Sequence, residues 1–167
     1  MKTRNLTLAG IFMALGLVMH FLIPPLLFGV KPDFLLSMIF ISLIIADDFK
    51  EALIIGISGG VMSALTTNFP GGQIPNFIEK IIVALTIFYL IRLLGKDKLG
   101  RGKIIIIFAL GTLLSGLLFL SLALSITGQL ELFIPSLPVI GLAMVVNAIF
   151  GLLLTSAYEQ IKKTQSR

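Results

Sequence analysis

The chain consists of long apolar runs separated by short polar segments. A helix needs roughly 20 apolar residues to cross the hydrocarbon core of a membrane, with a range of about 17–25. By this measure the pattern predicts six helical segments, at about 6–28, 34–46, 52–67, 75–94, 104–127 and 135–158. We therefore predict an all-α membrane protein with six transmembrane helices, forming a single integral membrane domain over 1–167.

The second predicted segment, 34–46, is too short to span a membrane upright beside lipid, because an α-helix rises only about 1.5 Å per residue. The third segment is also short. Short apolar segments that lie together point to a binding site between the helices. We therefore expect the second segment to tilt little, to end deep, or to leave a concavity at one face.

The basic residues indicate the orientation. With six spans both termini lie on one side, and cytoplasmic loops carry an excess of Lys and Arg. If the termini are cytoplasmic, only Lys31 and Lys80 face outward, and the basic residues 2, 4, 50, 92, 96, 98, 101, 103, 162, 163 and 167 lie inside. This predicts an N-in, C-in, multi-pass protein of a bacterial cell membrane, with outer loops at 24–33, 68–74 and 128–134.

Composition excludes several other classes. The chain is 57% hydrophobic and 13% charged, with a mean hydropathy of +1.08, which a soluble domain of this size cannot bury. The net charge of +5 sits at membrane-flanking positions, so no nucleic-acid partner is expected. With no cysteine, one histidine and no phosphate-binding loop, the sequence predicts no metal site, no cofactor and no enzyme activity.

The densest polar cluster is the stretch 68–80, NFPGGQIPNFIEK. Pro75 suits the first position of a helix, which would place Asn76, Glu79 and Lys80 on one face. The N–H groups at a helix start favour a carboxylate; Lys80 can pair with an acid and Glu79 with an amine. The stretch thus predicts a site for a zwitterion, although Glu79 and Lys80 could instead pair with residues across the outer face.

Other polar residues leave more than one interpretation open. Lys31 and Asp33 could help to close a pocket or could anchor a helix end. His20 could line the pocket or bond a neighbouring helix. Asn147, in the middle of the sixth segment, is of a type that commonly bonds to another helix.

Small residues in the first segment, Ala9, Gly10 and Ala14, are spaced so that another helix can approach closely. Spacing alone does not distinguish internal packing from docking of another subunit.

The strings IPPLLFGVKPDFLL and SALTTNFPGGQIPNFIEK, with a short acidic turn between the second and third segments, resemble the tryptophan transport protein family. The six spans and the small residues of the first resemble, more broadly, a substrate-binding (S) component of an energy-coupling factor transporter. Gly10 stands where such components often carry alanine.

The resemblance implies an S-component-like bundle that captures L-tryptophan or a similar small solute outside. It implies partners as well: a transmembrane scaffold subunit and two ATPase subunits in the membrane lipid. Ala9, Gly10 and Ala14 would then meet the scaffold.

The resemblance also implies that the loops after helices one and three cover the ligand. Gln73, Asn76, Glu79 and Lys80 would hold its amino-acid end, and Phe69 or Phe77 would face its ring. The full set of predicted substrate-binding residues is His20, Lys31, Asp33, Asn68, Phe69, Gly72, Gln73, Asn76, Phe77, Glu79, Lys80 and Asn147. The chain itself contains no tryptophan, which suits an importer needed during tryptophan starvation.

Three alternatives remain at this level. The protein could be an S component for another flat solute, such as a vitamin or a different aromatic amino acid. It could be a solitary proton-coupled carrier that uses His20 or Glu79 as the proton site. It could also be a structural membrane protein in which 68–80 is only a rigid loop.

Overall fold

The computed structural model describes residues 2–22 and 33–165, with residues 161–165 as backbone only. Within these ranges the chain forms six α-helices and no strand, which confirms the predicted all-helical fold. Five of the helices are long and apolar enough to cross a membrane. The helices are α1 Thr3–Leu22, α2 Phe34–Ile45, α3 Phe49–Thr66, α4 Gln73–Leu93, α5 Arg101–Thr127 and α6 Phe133–Gln165, with single 3-10 turns at Lys96–Lys98 and Leu130–Leu132.

The short helix α2 occupies the centre of the bundle. Every residue from Phe34 to Leu43 is buried, and the helix contacts each of the other five. A helix that is apolar on all sides must be covered on all sides. Its first residues belong to a cavity described below, so the concavity expected from its length is present.

The loop before α4 is a tight turn. Gly72 N donates to Phe69 O over 2.9 Å, and Gly71 has a φ of +71°. Pro70 and Gly71 are the residue types that a type II turn favours at its two central positions. The turn reverses the chain at the predicted outer face and starts α4.

Helix α4 begins at Gln73, so the prediction that Pro75 is its first residue was wrong by two positions. The first four N–H groups of a helix have no partner within the helix, and a proline is therefore tolerated anywhere in this turn. The earlier start adds Gln73 and Ile74 to the helix.

The turn between α2 and α3 lies at the predicted inner face. Its side chains bond to the N-terminal segment and to the 3-10 turn after α4. Asp47 pairs with Lys2 Nζ at 2.7 Å and with Lys96 Nζ at 2.6 Å, and it accepts from Asn5 Nδ2 at 3.1 Å. The Lys2 ammonium, followed by Lys96 and Asn5, holds the pKa of the Asp47 carboxyl well below its usual range. Its contribution to stability is therefore present at neutral pH and is lost as the pH falls toward that lowered pKa.

The carboxylate of Glu51, one turn into α3, is not part of a solvated turn. Asp48 caps α3, accepting from Glu51 N at 2.9 Å, and Glu51 itself is fully buried. Its Oε2 accepts from Asn5 Nδ2 at 3.1 Å and from Asp47 N at 2.8 Å. The acidic turn is thus a connection between α1 and α3, and not merely a set of solvated caps.

Two glycines allow α5 and α6 to pack closely on phenylalanines of the core. A Cβ at Gly111 would lie 2.3 Å from Cζ of Phe40, and one at Gly151 would lie 2.4 Å from Cγ of Phe108. The rings of Phe40 and Phe108 meet edge to face with their centroids 5.3 Å apart. Neither ring has room to move away from an added methyl group.

We predict that Gly151→Ala lowers the free energy of unfolding by about 1–3 kcal/mol, because the new methyl overpacks Phe108. Gly141→Ala is the matched control on the same helix, since a Cβ there meets nothing within 4 Å. Unfolding of both variants in detergent micelles compares the two. Equal stability of Gly151→Ala and Gly141→Ala would contradict the packing described here.

Candidate functional site

A cavity of about 440 Å³ lies between the helices and extends inward from the α3–α4 loop. Small-molecule sites in proteins commonly occupy about 300–1,000 Å³. Its walls come from α2 to α6, from the loop residues Thr67, Asn68 and Phe69, and from His20 of α1. The cavity therefore begins at the predicted outer face, where a solute from the medium would arrive.

Helix α5 shows how deep the cavity reaches. Its lining residues are Leu120 and Phe119, then Ser115 and Gly116, then Thr112. Since α5 runs from the predicted inner side to the outer side, Thr112 lies about 12 Å deeper than Leu120 by the helix rise. The lining therefore divides into three levels along α5. The outer level is at Phe119 and Leu120, the middle level at Ser115 and Gly116, and the inner end at Thr112.

The middle level holds a buried charge network centred on Lys80. Lys80 Nζ lies 3.2 Å from Asp33 Oδ2 and 3.3 Å from Ser115 Oγ. It also forms an ion pair with Glu79 Oε1, without the angle of a hydrogen bond, and Ser115 donates to Glu79 Oε2 at 2.9 Å. The side chains of Glu79 and Lys80 are 0% and 3% exposed, whereas that of Asp33 is 32% exposed.

Local structure explains how the two carboxylate oxygens of Asp33 make two different contacts. It is the N-cap of α2, and its Oδ1 accepts from Leu36 N at 2.8 Å. Its Oδ2 is then left to face Lys80. Because Lys80 lies seven residues into α4, this contact places the start of α2 about two turns inside the start of α4. Among the described residues, the cavity therefore extends from Asp33 toward the α3–α4 loop.

Apolar and aromatic side chains complete the walls. Phe69 and Phe119 meet edge to face at 5.4 Å near the outer level. Aliphatic residues of α2, α5 and α6 line the remainder: Leu35, Leu36, Leu120, Val139, Ile140 and Ala143. The site thus combines opposite charges at one level with an apolar surface suited to a flat ring.

At the inner end, Asn147 of α6 donates from Nδ2 to Thr112 Oγ1 of α5 over 3.1 Å. Both residues are buried and both line the cavity. The sequence-based expectation that Asn147 bonds to another helix is therefore correct, and the residue also reaches the cavity.

The structure brings most of the predicted site residues together. Eight of them line this one cavity: His20, Asp33, Asn68, Phe69, Asn76, Glu79, Lys80 and Asn147. Lys31 lies outside the described residues. Whether any of these residues binds a solute stays a prediction, but their convergence was not evident from the sequence.

Three predicted residues do not line the cavity. Gln73 and Phe77, four residues apart, share an exposed face of α4, and Phe77 packs against Gly60 of α3. Gly72 is buried against its own turn, where a Cβ would lie 2.8 Å from Thr67 Oγ1. We therefore leave Gly72, Gln73 and Phe77 out of the proposed binding surface.

Sequence reasoning missed the polar residues of α5. Ser115 and Thr112 stand three residues apart in the apolar middle of the helix, so they share one face. That spacing was a usable signal, because polar side chains within a span face the interior of a bundle.

The small residues of α1 do not act as a group. Ala9 is buried and packs inside the bundle, whereas Gly10 and Ala14 are exposed on its outside. A Cβ at Gly10 would meet nothing within 4 Å. Only Gly10 and Ala14 are placed where another subunit can reach them.

Comparison with known proteins gives the family. Residues 2–163 match the family model described as "Tryptophan transporter TrpP". The chain belongs to this tryptophan transporter family. It is thus a member of a family of transport proteins, not of enzymes, and its apolar helices fit a multi-pass bacterial membrane protein.

Individual members of the tryptophan transporter family cover most of the chain. A probable tryptophan transport protein of Bacillus subtilis (strain 168) is 44% identical over 77% of this chain and 74% of its own. Proteins with the same description from Clostridium acetobutylicum and Clostridium perfringens are each 37% identical, over 98% and 99% of this chain and 95% of their own. No solved structure gives a significant match.

We predict that Lys80→Met destabilises the fold by about 3–5 kcal/mol, because the buried Glu79 and the partly buried Asp33 lose the cation between them. Adding Glu79→Gln should restore part of the loss by removing one uncompensated charge. Lys50→Met, at an exposed lysine of α3, should change stability by no more than about 0.5 kcal/mol. The free energy of unfolding in detergent micelles measures all three, and a Lys80→Met variant as stable as Lys50→Met would refute the network.

Proposed function

We propose that this protein captures L-tryptophan at the outer face of a bacterial membrane. It then delivers the amino acid inward with a separate ATP-driven module. The observation that carries the proposal is the cavity in which Asp33 and Lys80 present opposite charges beside an apolar wall. The descriptions of its relatives as probable tryptophan transport proteins support the choice of solute.

The charged residues of the network indicate where each end of a zwitterionic solute binds. Asp33 is the carboxylate with the most exposure in the network, so it receives the ammonium group. Lys80, with Asn76 one turn nearer the start of α4, receives the carboxylate. Glu79 is fully buried behind Lys80 and bonded to Ser115, so its role is to hold the lysine in place and not to meet the solute. This revises the assignment of Glu79 to the amine.

The ring of the solute occupies the apolar part of the cavity. It extends inward from the charge network past Ile140 and Ala143 of α6, while Phe69 and Phe119, which meet edge to face at the outer level, cover the amino-acid end. Aliphatic side chains stabilise a flat apolar ring through the area they remove from water. Phe77 is excluded from this role by its position on the outside of α4.

We predict that Asp33→Asn weakens L-tryptophan binding about 10- to 150-fold, because a hydrogen bond to a charged group loses one charge. Asparagine still caps a helix, so α2 should begin at the same place. With no tryptophan in the protein, bound indole emission measures the ligand directly, together with equilibrium dialysis.

Two controls make this test specific. Gln73→Ala, outside the cavity, should leave binding unchanged. Indole-3-propionate lacks the ammonium group, so Asp33→Asn should not weaken its binding. If Asp33→Asn binds L-tryptophan as the parent does, the assignment of the ammonium is wrong; if the folded parent binds no L-tryptophan, the proposed solute is wrong.

The partner module is proposed from the outside of α1. Gly10 and Ala14 form a shallow, exposed strip, where a helix of a transmembrane scaffold subunit can approach closely. The scaffold would connect this subunit to two ATPases. A division of labour of this kind suits a chain in which the sequence contains no phosphate-binding loop.

We predict that Ala14→Leu abolishes L-tryptophan uptake while leaving binding to the purified protein unchanged, because the added side chain blocks close helix approach. Thr86→Leu adds bulk at an exposed position of α4 and is the control that should retain uptake. Uptake is measured in cells with and without an energy-coupling module. Uptake in cells that lack the module would indicate a solitary carrier and overturn this part of the proposal.

A further inference from the structure

Only one end of the Asn147 side-chain amide is hydrogen-bonded to another described residue. Its Nδ2 donates to Thr112, but its Oδ1 has no hydrogen-bond partner among the residues that the structure describes. Asn147 is 0% exposed and lies at the closed, inner end of the cavity. Buried polar atoms in proteins are nearly always paired, so an unpaired carbonyl oxygen next to a cavity calls for a partner.

The position of this oxygen fits one part of the solute. The charge network lies at the level of Ser115, and the Asn147–Thr112 bond lies three residues deeper on α5, about 4.5 Å by the helix rise. A solute whose amino-acid end meets Asp33 and Lys80 therefore directs its ring toward Asn147. The group that Oδ1 can accept from is a donor on that ring.

The inner end is also shaped for the edge of a flat ring. Just above it, at the level of Ser115, Gly116 faces Ile140, and a Cβ on the glycine would lie 2.9 Å from Ile140 Cγ2. Ala143 lies one turn before Asn147 on the same face of α6. Between these aliphatic neighbours, the polar groups that a ring edge meets at the inner end are the Asn147 amide and the Thr112 hydroxyl that is bonded to it.

We propose that Asn147 Oδ1 accepts a hydrogen bond from the indole N–H of the solute. This makes Asn147 the residue that selects tryptophan over aromatic amino acids without that donor. The inference rests on the proposed function, because it requires L-tryptophan in this cavity. Thr112 acts through Asn147 as a positioning residue, since its hydroxyl fixes the amide with the oxygen free.

The physical basis of the selection is the cost of an unpaired buried oxygen. Phenylalanine fills part of the same apolar space but leaves Oδ1 without a partner. A site built to hydrogen-bond a solute discriminates strongly against analogues that lack the bonding group. Apolar contact alone discriminates between rings only weakly.

The experiment compares ligands on the parent protein before any substitution. Binding of L-tryptophan is measured against 3-(3-benzothienyl)-L-alanine, in which sulfur replaces the indole N–H and the ring shape is kept. Equilibrium dialysis gives both affinities. We expect the sulfur analogue to bind at least about tenfold more weakly, the effect of one lost hydrogen bond with an unpaired acceptor.

Asn147→Leu then tests the residue. We expect L-tryptophan to bind this variant at least about tenfold more weakly and the sulfur analogue to bind about equally to variant and parent, so that the preference disappears. Ser136→Ala is the control: Ser136 also lines the cavity, but its hydroxyl bonds to Leu132 O, and the preference should remain.

The outcomes separate the two proposals. If the parent binds L-tryptophan and the sulfur analogue equally, the role of Asn147 is overturned while the proposed function stands. The same holds if Asn147→Leu keeps the preference. If the folded parent binds neither ligand, the proposed function fails, and this inference fails with it.

Discussion

A lysine ammonium can remain inside an apolar helix bundle only if carboxylates accompany it, and this requirement organises the centre of the protein. Lys80 lies between Asp33 and Glu79, with Ser115 bonded to Glu79. The desolvation of each charge is unfavourable, and it is offset only when the partners are held in place. Helices α2, α4 and α5 are thereby fixed relative to one another at a single level.

The same network joins the fold to the proposed transport role. Asp33 caps α2 with one oxygen and faces Lys80 with the other, so the beginning of a helix and the edge of the cavity are set by one side chain. Ionisable residues within a membrane are expensive and usually functional. Here they also hold three helices together, so the proposed binding and the stability of the fold involve the same residues.

Much of the fold was predictable because it depends on local patterns. The six apolar runs and the polar stretch before α4 were visible in the sequence, and Glu79 with Lys80 was correctly marked as chemically unusual. From the sequence, Lys80 was expected to pair only with residues across the outer face. Its contact with Asp33 inside the bundle was not predictable, because the two residues are 47 positions apart and meet through packing that no periodicity encodes. Burial of Glu51 was missed for the same reason. Gln73 lies in the first turn of α4 and not in the loop before it, a two-residue shift in a helix start that sequence patterns do not resolve.

Helix α2 has 12 residues and is about 18 Å long, while the hydrocarbon core is about 30 Å thick. Alone in a bilayer, Asp33 could still cap Leu36 N, but the other terminal N–H and C=O groups of α2 would lie in lipid without partners. It therefore cannot be an independently stable span that later associates with others. For this segment, membrane insertion and tertiary folding are a single event: it enters the bilayer with a neighbour and becomes stable only when the later helices enclose it.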